Sequence, residues 1–324
     1  MTSRYIFIDV LRGVCVFYIV GFWHLMNYTS LFPGYANIVT LRLTVTVLGL
    51  FVFLSGYLLN TRGIDLGIKS IKKFYLKRFL RIYPLYMLAI IWFYLFHISD
   101  GVTLFKASLL ISMFYGPPPP TLWFITMIME FYLVAPLLIT RSKQGSLFWI
   151  IAITIYCLMA YVTYFSSKSD PRVLIYFPAF VSGIYVATLN QYCSKRFFTI
   201  IAIGFVLSII LSMTVENFPE RSYFSIPLTI FSPIVIFFLS AKYINFTQNI
   251  KLFSIISYAG FVMYLIHRPV YMVMSFLYKK LPIILDAEMQ FVLYFYLICL
   301  PLITIASWII QRIYDNALVN FRKI

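Results

Sequence analysis

Ten apolar stretches of roughly membrane-spanning length, joined by short polar connectors, dominate this chain and leave few folds open to it. They lie near 6–28, 38–60, 82–98, 123–139, 147–165, 173–190, 197–214, 223–240, 252–277 and 290–310. Hydrocarbon offers no water to backbone amides, so a spanning segment must bond within itself, and stretches this long do so as α-helices. The run "LFKASLLISMFY" (104–115) is apolar but too short to cross, so it reads as a re-entrant or interfacial helix. The expected fold is therefore an all-α integral membrane bundle of about ten transmembrane helices. Composition agrees: 11% of residues are charged, against about 25% in a soluble domain. The first apolar segment is long and lacks a small-residue cleavage site, so it reads as a retained helix. The connectors are too short to bury a soluble core, which gives one membrane-embedded domain over 1–324 with nothing appended.

The formal charge of +16 would suggest nucleic acid in a soluble protein, but here basic residues also set orientation. With the N-terminus inside, the inner segments carry Arg4, Arg62, Lys69, Lys72, Lys73, Lys77, Arg78, Arg81, Arg141 and Lys143. They also carry Lys195, Arg196, Lys242, Lys251, Arg312, Arg322 and Lys323, against the acids Asp65 and Asp315. The outer segments nearly balance their bases with Asp100, Asp170, Glu216, Glu220, Asp286 and Glu288. Making 104–115 a full span would reverse every later loop and spoil this asymmetry. Both termini are therefore expected in the cytoplasm, with membrane lipids and not nucleic acid as the basic face's partners. The cysteines Cys15, Cys157, Cys193 and Cys299 show no metal-like spacing and read as small core residues, and no metal site is expected. "GPPPPTLW" (116–123) reads as a stiff outer connector.

Against this background, the ionisable groups inside apolar segments need a reason to be there, since each costs about 2.5–3.5 kcal/mol at a helix centre on insertion scales. Asp9 and Arg12 are three apart and share a helix face. His24 lies about 18 Å further along the same helix at the α-helical rise. His267, in "GFVMYLIHRPVY", and Glu130, in "TLWFITMIMEFYLVAPLL", fall at a similar depth toward the outer side. The three suit the lining of one outward-open chamber. On the inner side, "IKSIKKFYLKRFLRIYPLY" (68–86) puts Arg78 and Arg81 on one helix face. The cluster serves either as an orientation signal that touches anionic lipid or as a phosphate site. Beside it, Ser55–Gly56 in "LFVFLSGYLLN" permits close helix packing or the passage of a thin ligand.

Five segments in order resemble the acyltransferase-3 family of integral membrane acyltransferases. They are "IDVLRG" followed by His24, "LFVFLSGYLL", "KRFLRIYPLY", "LWFITMIMEFYLVAPLL" and "YLIHRPV". The resemblance implies transfer of an acyl group, most often acetyl, from cytoplasmic acyl-CoA to a sugar hydroxyl. The acceptor would be a cell-surface polysaccharide or its lipid-linked precursor, and the setting the inner (plasma) membrane of a bacterial cell. Carried onto this chain, His24 is the catalytic histidine, with Arg12, Arg78, Arg81 and His267 as functional partners; Asp9 and Glu130 complete the catalytic set, with Asp9 and Arg12 nearer the entrance holding helix geometry or touching the donor. Arg78, Arg81, Ser55 and Gly56 would receive acyl-CoA, which is a donor substrate and not a resident cofactor. Trp123 and Tyr264 would meet the acceptor. Two departures stand out. Eleven residues separate Arg12 from His24 where the common family spacing has ten, which turns a regular helix by about 100° unless a bulge compensates. Ile128 stands where many members carry Glu, making Glu130 the available carboxylate.

In the implied mechanism the CoA nucleotide meets the inner arginines and the pantetheine arm enters past Ser55–Gly56. His24, whose ring titrates near working pH, takes the acceptor's hydroxyl proton. A transporter or flippase for lipid-linked sugars is the competing class, though internal repeats and paired interrupted helices are missing from the sequence. A glycan polymerase would call for a large outer loop, and the longest outer connection is about 25 residues.

Overall fold

The computed structural model describes residues 6–29, 32–65, 67–166, 168–189, 194–215, 220–244, 251–282 and 286–321. Arg4, Cys193, Glu216, Arg322 and Lys323 lie outside the described residues. Of the described residues 81% are helical and none lies in a strand. Among the described residues nine segments are long and apolar enough to cross a membrane, and the apolar helix Arg172–Val186 is shorter. The tenth expected span, 173–190, is that short helix, about 22 Å at the α-helical rise.

Helix α1 (Ile6–Val16) continues as a π-helical segment, Phe17–His24, and a 3₁₀ turn, Leu25–Tyr28. The next helices are α2 (Ile38–Asn60), α3 (Ile68–Leu95), α4 (Gly101–Ser108), α5 (Trp123–Arg141) and α6 (Ser146–Phe165). They are followed by α7 (Arg172–Val186), α8 (Lys195–Met213), α9 (Glu220–Phe224), α10 (Ile226–Tyr243) and α11 (Lys251–Tyr278). Finally α12 (Ala287–Tyr294) runs through a π segment, Phe295–Cys299, into α13 (Leu300–Phe321). The third span begins at Ile68, not at residue 82, because α3 continues through its basic first half and through Pro84. The short helix expected over 104–115 is observed as α4 over Gly101–Ser108, and residues 109–115 leave the helix as turns. Asp100 caps it by accepting from the Thr103 N–H at 2.8 Å, and Leu110 just beyond its end has a left-handed φ of 57°.

The chain forms two compact units, residues 1–40 with 240–324 and residues 41–239. In the first, α11 packs against both α1 and α13. Small residues allow the α1–α11 approach: a Cβ on Gly13 would lie 3.0 Å from the Phe253 carbonyl oxygen, and one on Gly260 2.6 Å from Val16. Polar bonds tie these three helices together. Ser257 donates to Asp9 at 3.2 Å, while Tyr258 and Gln311 donate to Asp315 at 2.8 and 3.0 Å.

In the second unit, α2 and α7 meet through reciprocal glycines. A Cβ on Gly56 would overlap the Phe180 carbonyl oxygen, and one on Gly183 the Phe53 carbonyl oxygen. Interhelical hydrogen bonds join the same helices and their neighbours: Asn60 to the Ile184 carbonyl and Thr229 to that of Ile175, both at 2.8 Å. Arg42, buried on α2, closes the end of α8 by donating to the carbonyls of Ser212 at 2.7 Å and Val215 at 3.2 Å. Cys15 and Cys299 are buried as expected, whereas Cys157 is exposed on α6.

Candidate active site

In the first unit the two intramembrane histidines meet. His24 and His267 stack with ring centroids 4.7 Å apart and planes 6° from parallel. His24 is 9% exposed and His267 is fully buried. The His267 Nδ1 lies 2.8 Å from the Tyr264 carbonyl oxygen. A carbonyl can only accept, so Nδ1 carries the hydrogen, and the neutral ring presents its Nε2 as a lone pair. That Nε2, like the Nδ1 of His24, is buried with no hydrogen-bond partner among the described residues. The Tyr264 ring lies 5.8 Å from His267 and 6.5 Å from His24, so this tyrosine holds one imidazole by its backbone and flanks both by its ring.

The π segment brings His24 to this position. A π turn bonds i to i+5, so it takes up an additional residue without breaking the helix. The eleven-residue interval between Arg12 and His24 runs through this segment, which supplies the compensating bulge. Widening a helix disturbs its regular carbonyl bonding, and two tyrosines answer that need. Tyr271, one turn beyond His267, donates to the Val20 carbonyl at 2.6 Å, and Tyr296 donates to that of Gly21 at 2.7 Å. The Tyr271 ring also meets His267 edge-on at 5.7 Å. Both tyrosines escape a search for ionisable groups; the i, i+4 spacing of Tyr271 from His267 is the only trace they leave in the sequence. Asp9 lies on α1, where it accepts from Ser257, and Arg12 acts electrostatically on buried Cys15 on the same helix.

The second unit holds the other candidates. Arg78 lies with its Cζ 5.7 Å from the Phe74 ring centroid and 5.9 Å from that of Tyr132. Its Nε is buried without a partner among the described residues. Exposed Arg81 and Arg62 lie within its electrostatic reach, so three guanidinium groups gather with no carboxylate paired to them among the described residues. Ser55 and Tyr132 share a 2.5 Å hydroxyl–hydroxyl hydrogen bond, which links Ser55 to the ring beside Arg78. Of the two uses open to Gly56, the geometry shows close packing: the α7 backbone occupies the space a side chain would take. Arg62 and Tyr132 are additions to the sequence-derived set.

Glu130 is 5% exposed, and both its carboxyl oxygens are buried without a hydrogen-bond partner among the described residues. The Met113 backbone N–H approaches it outside hydrogen-bonding geometry. One turn earlier on α5, Thr126 shares a 2.7 Å hydrogen bond with the buried Tyr86 hydroxyl. Trp123, at the start of α5, is covered by Arg172, whose Cζ is 3.9 Å from the ring centroid, and stacks on Tyr176 at 6.0 Å. Arg172 in turn pairs with Asp170 through two hydrogen bonds. The indole is thus engaged by α7 and its preceding loop.

A family model described as an acyltransferase domain, Acyl_transf_3, matches residues 5–312. No curated protein and no solved structure matches the chain.

Proposed function

Since the chain belongs to the acyltransferase-3 family, we propose that it moves an acyl group, acetyl first among candidates, from acyl-CoA to a sugar hydroxyl. The acceptor in this reading is a cell-surface polysaccharide or its lipid-linked precursor. At the coarser level the chain is a multi-pass membrane acyltransferase.

The observation that carries the proposal is the stacked His24–His267 pair, with one nitrogen on each ring unpartnered among the described residues. His24 is the more accessible of the two and serves as general base. Its lone pair takes the acceptor's hydroxyl proton as that oxygen attacks the thioester carbonyl. The carbon–sulfur bond then breaks, the ester forms, and the CoA thiolate leaves and is protonated. His267, held by Tyr264, fixes the plane of the His24 ring through the stack and is a positioning residue. Arg78, Arg81 and Arg62 supply charge-assisted donors for the phosphates of the CoA nucleotide.

The test is release of CoA thiol by the purified protein on mixing with acetyl-CoA and a glycan acceptor. His24→Ala should lower the rate by about 10²–10⁴-fold, the usual range for a positioned base, while the variant still inserts and folds. A well-expressed His24→Ala protein with near-wild-type CoA release would remove the histidine from the mechanism. Surface-glycan NMR on cells with and without the protein would identify the acyl group and the modified hydroxyl together.

A further inference from the structure

Arg268 follows His267 in the chain and is about 100° further around α11. Its charge acts on both rings of the histidine pair and on the hydroxyls of Tyr28 and Tyr35. The guanidinium makes no hydrogen bond or ion pair among the described residues, and its Nε is buried. An arginine that merely snorkels would turn its head group toward water. Arg268 instead sits ten residues before the end of α11, with part of its head group buried and no counter-charge among the described residues. The two described acids of the α12 segment are otherwise engaged. Asp286 accepts from the Met289 N–H, and Glu288 accepts from the Thr29 hydroxyl at 2.7 Å.

Two aromatic side chains, Tyr28 and Tyr35, lie within electrostatic reach of that guanidinium. Tyr28 meets Tyr271 edge-on at 5.4 Å and stacks near Phe295 at 6.4 Å, so its ring is fixed. Tyr35, half-buried, lies against Phe22 and Trp23 and donates to the Asn27 side chain. Fixed aromatic rings beside an unpaired planar cation recognise a sugar that carries an anionic oxygen group.

We propose that Arg268, with Tyr28 and Tyr35, forms an anion subsite next to the histidine pair, so that the acceptor is an acidic sugar unit bearing a carboxylate or a phosphate. The proposal rests on the acyl-transfer reading for the word acceptor, but the binding it describes needs no donor. A partly buried guanidinium meets either anion through parallel N–H donors, and the alternatives differ only in source: an acidic sugar, or a sugar phosphate of a lipid-linked unit.

Thermal unfolding of the detergent-purified protein, titrated with glucuronate, glucose 1-phosphate and glucose at fixed ionic strength, tests this. The wild type should be stabilised saturably by at least one anionic probe and not by glucose. A glucuronate response assigns the carboxylate source, and a glucose 1-phosphate response the phosphate source. Arg268→Gln should weaken the apparent affinity for the effective probe about tenfold or more, in the range for a lost charged hydrogen bond. Arg268→Lys keeps the charge but not the fork, and should bind with intermediate affinity; it serves if the Gln variant does not fold. Absence of any anion-specific stabilisation in the wild type overturns the subsite, as does an unchanged affinity in a folded Arg268→Gln protein. Loss of CoA release with an intact anion response would instead count against acyl transfer and leave the subsite standing.

Discussion

Replacing Tyr271 with Phe removes one oxygen atom and tests whether the π segment sets the geometry of the histidine pair. The Tyr271 side chain is 1% exposed, and its hydroxyl donates to the Val20 carbonyl at 2.6 Å inside the widened turn. Loss of a membrane-embedded hydrogen bond averages about 0.6 kcal/mol and reaches about 1.7 kcal/mol. A buried carbonyl left without a donor costs about 1–3 kcal/mol. The variant should therefore lose about 1–2 kcal/mol, a change of roughly 5- to 30-fold in the unfolding equilibrium. The catalytic effect should be larger. If the turn relaxes toward α geometry, His24 rotates by up to about 100° per residue of lost bulge and leaves the stack. Equilibrium unfolding in detergent measures the first effect, and CoA release under saturating acetyl-CoA the second. The expected result is a drop in kcat beyond tenfold with little change in donor KM. A Tyr271→Phe protein with wild-type stability and wild-type kcat would refute the claim that this hydroxyl holds the widened turn.

Other consequences can be measured in parallel. Gly56→Ala should disrupt the α2–α7 contact and fail to yield folded protein, because the new methyl overlaps the Phe180 carbonyl; normal yield and melting would contradict the packing role. Arg78→Ala should raise the acetyl-CoA concentration needed for half-maximal rate by about 10- to 100-fold, equivalent to about 1.5–3 kcal/mol for a charged hydrogen bond, without altering which hydroxyl is acylated. Unchanged donor titrations would reduce the arginine cluster to an orientation signal. If both termini are cytoplasmic, as the charge asymmetry leads one to expect, a cysteine at Pro118 should react with an impermeant thiol reagent from the outer side, and one at Lys73 only after the membrane is opened. The reverse pattern would overturn the expected orientation.

Much of the fold was legible because hydrocarbon imposes a length rule that apolar segments obey individually. Where the expectation and the structure differ, local chemistry explains it. The basic first half of α3 is polar and so was not counted as span, yet its long side chains are compatible with a helix that simply continues past Pro84. The histidine pair was legible as two residues of similar depth, but stacking depends on rotation about two helix axes. One of those rotations runs through a π segment whose carbonyls accept from Tyr271 and Tyr296, both distant in sequence from His24. Gly56 had two readings in sequence because a missing side chain is equally suited to a neighbouring backbone or a ligand; only the position of Phe180 distinguishes them.

Among the described residues the buried charged and imidazole groups divide into two kinds, while Ser112, Ser275 and Ser307 also keep buried hydroxyls without a partner outside the candidate site. Arg42 is a buried charge in an apolar helix, and its donors are spent on the Ser212 and Val215 carbonyls. Asp315 likewise accepts from Tyr258 and Gln311, and Thr229 reaches the Ile175 carbonyl. These groups pair within the chain, as a membrane interior requires of groups that only hold helices together. His24, His267 and Arg268 in the first unit, and Arg78 and Glu130 in the second, instead keep buried atoms without partners among the described residues. Each such atom costs free energy that neighbouring side chains in the same unit show how to avoid. Four of the five come from residues singled out by sequence alone, and the fifth adjoins His267. On the proposed reading, the groups left open are those that would meet substrate: thioester, hydroxyl, phosphate and, at Arg268, an acceptor's own negative charge.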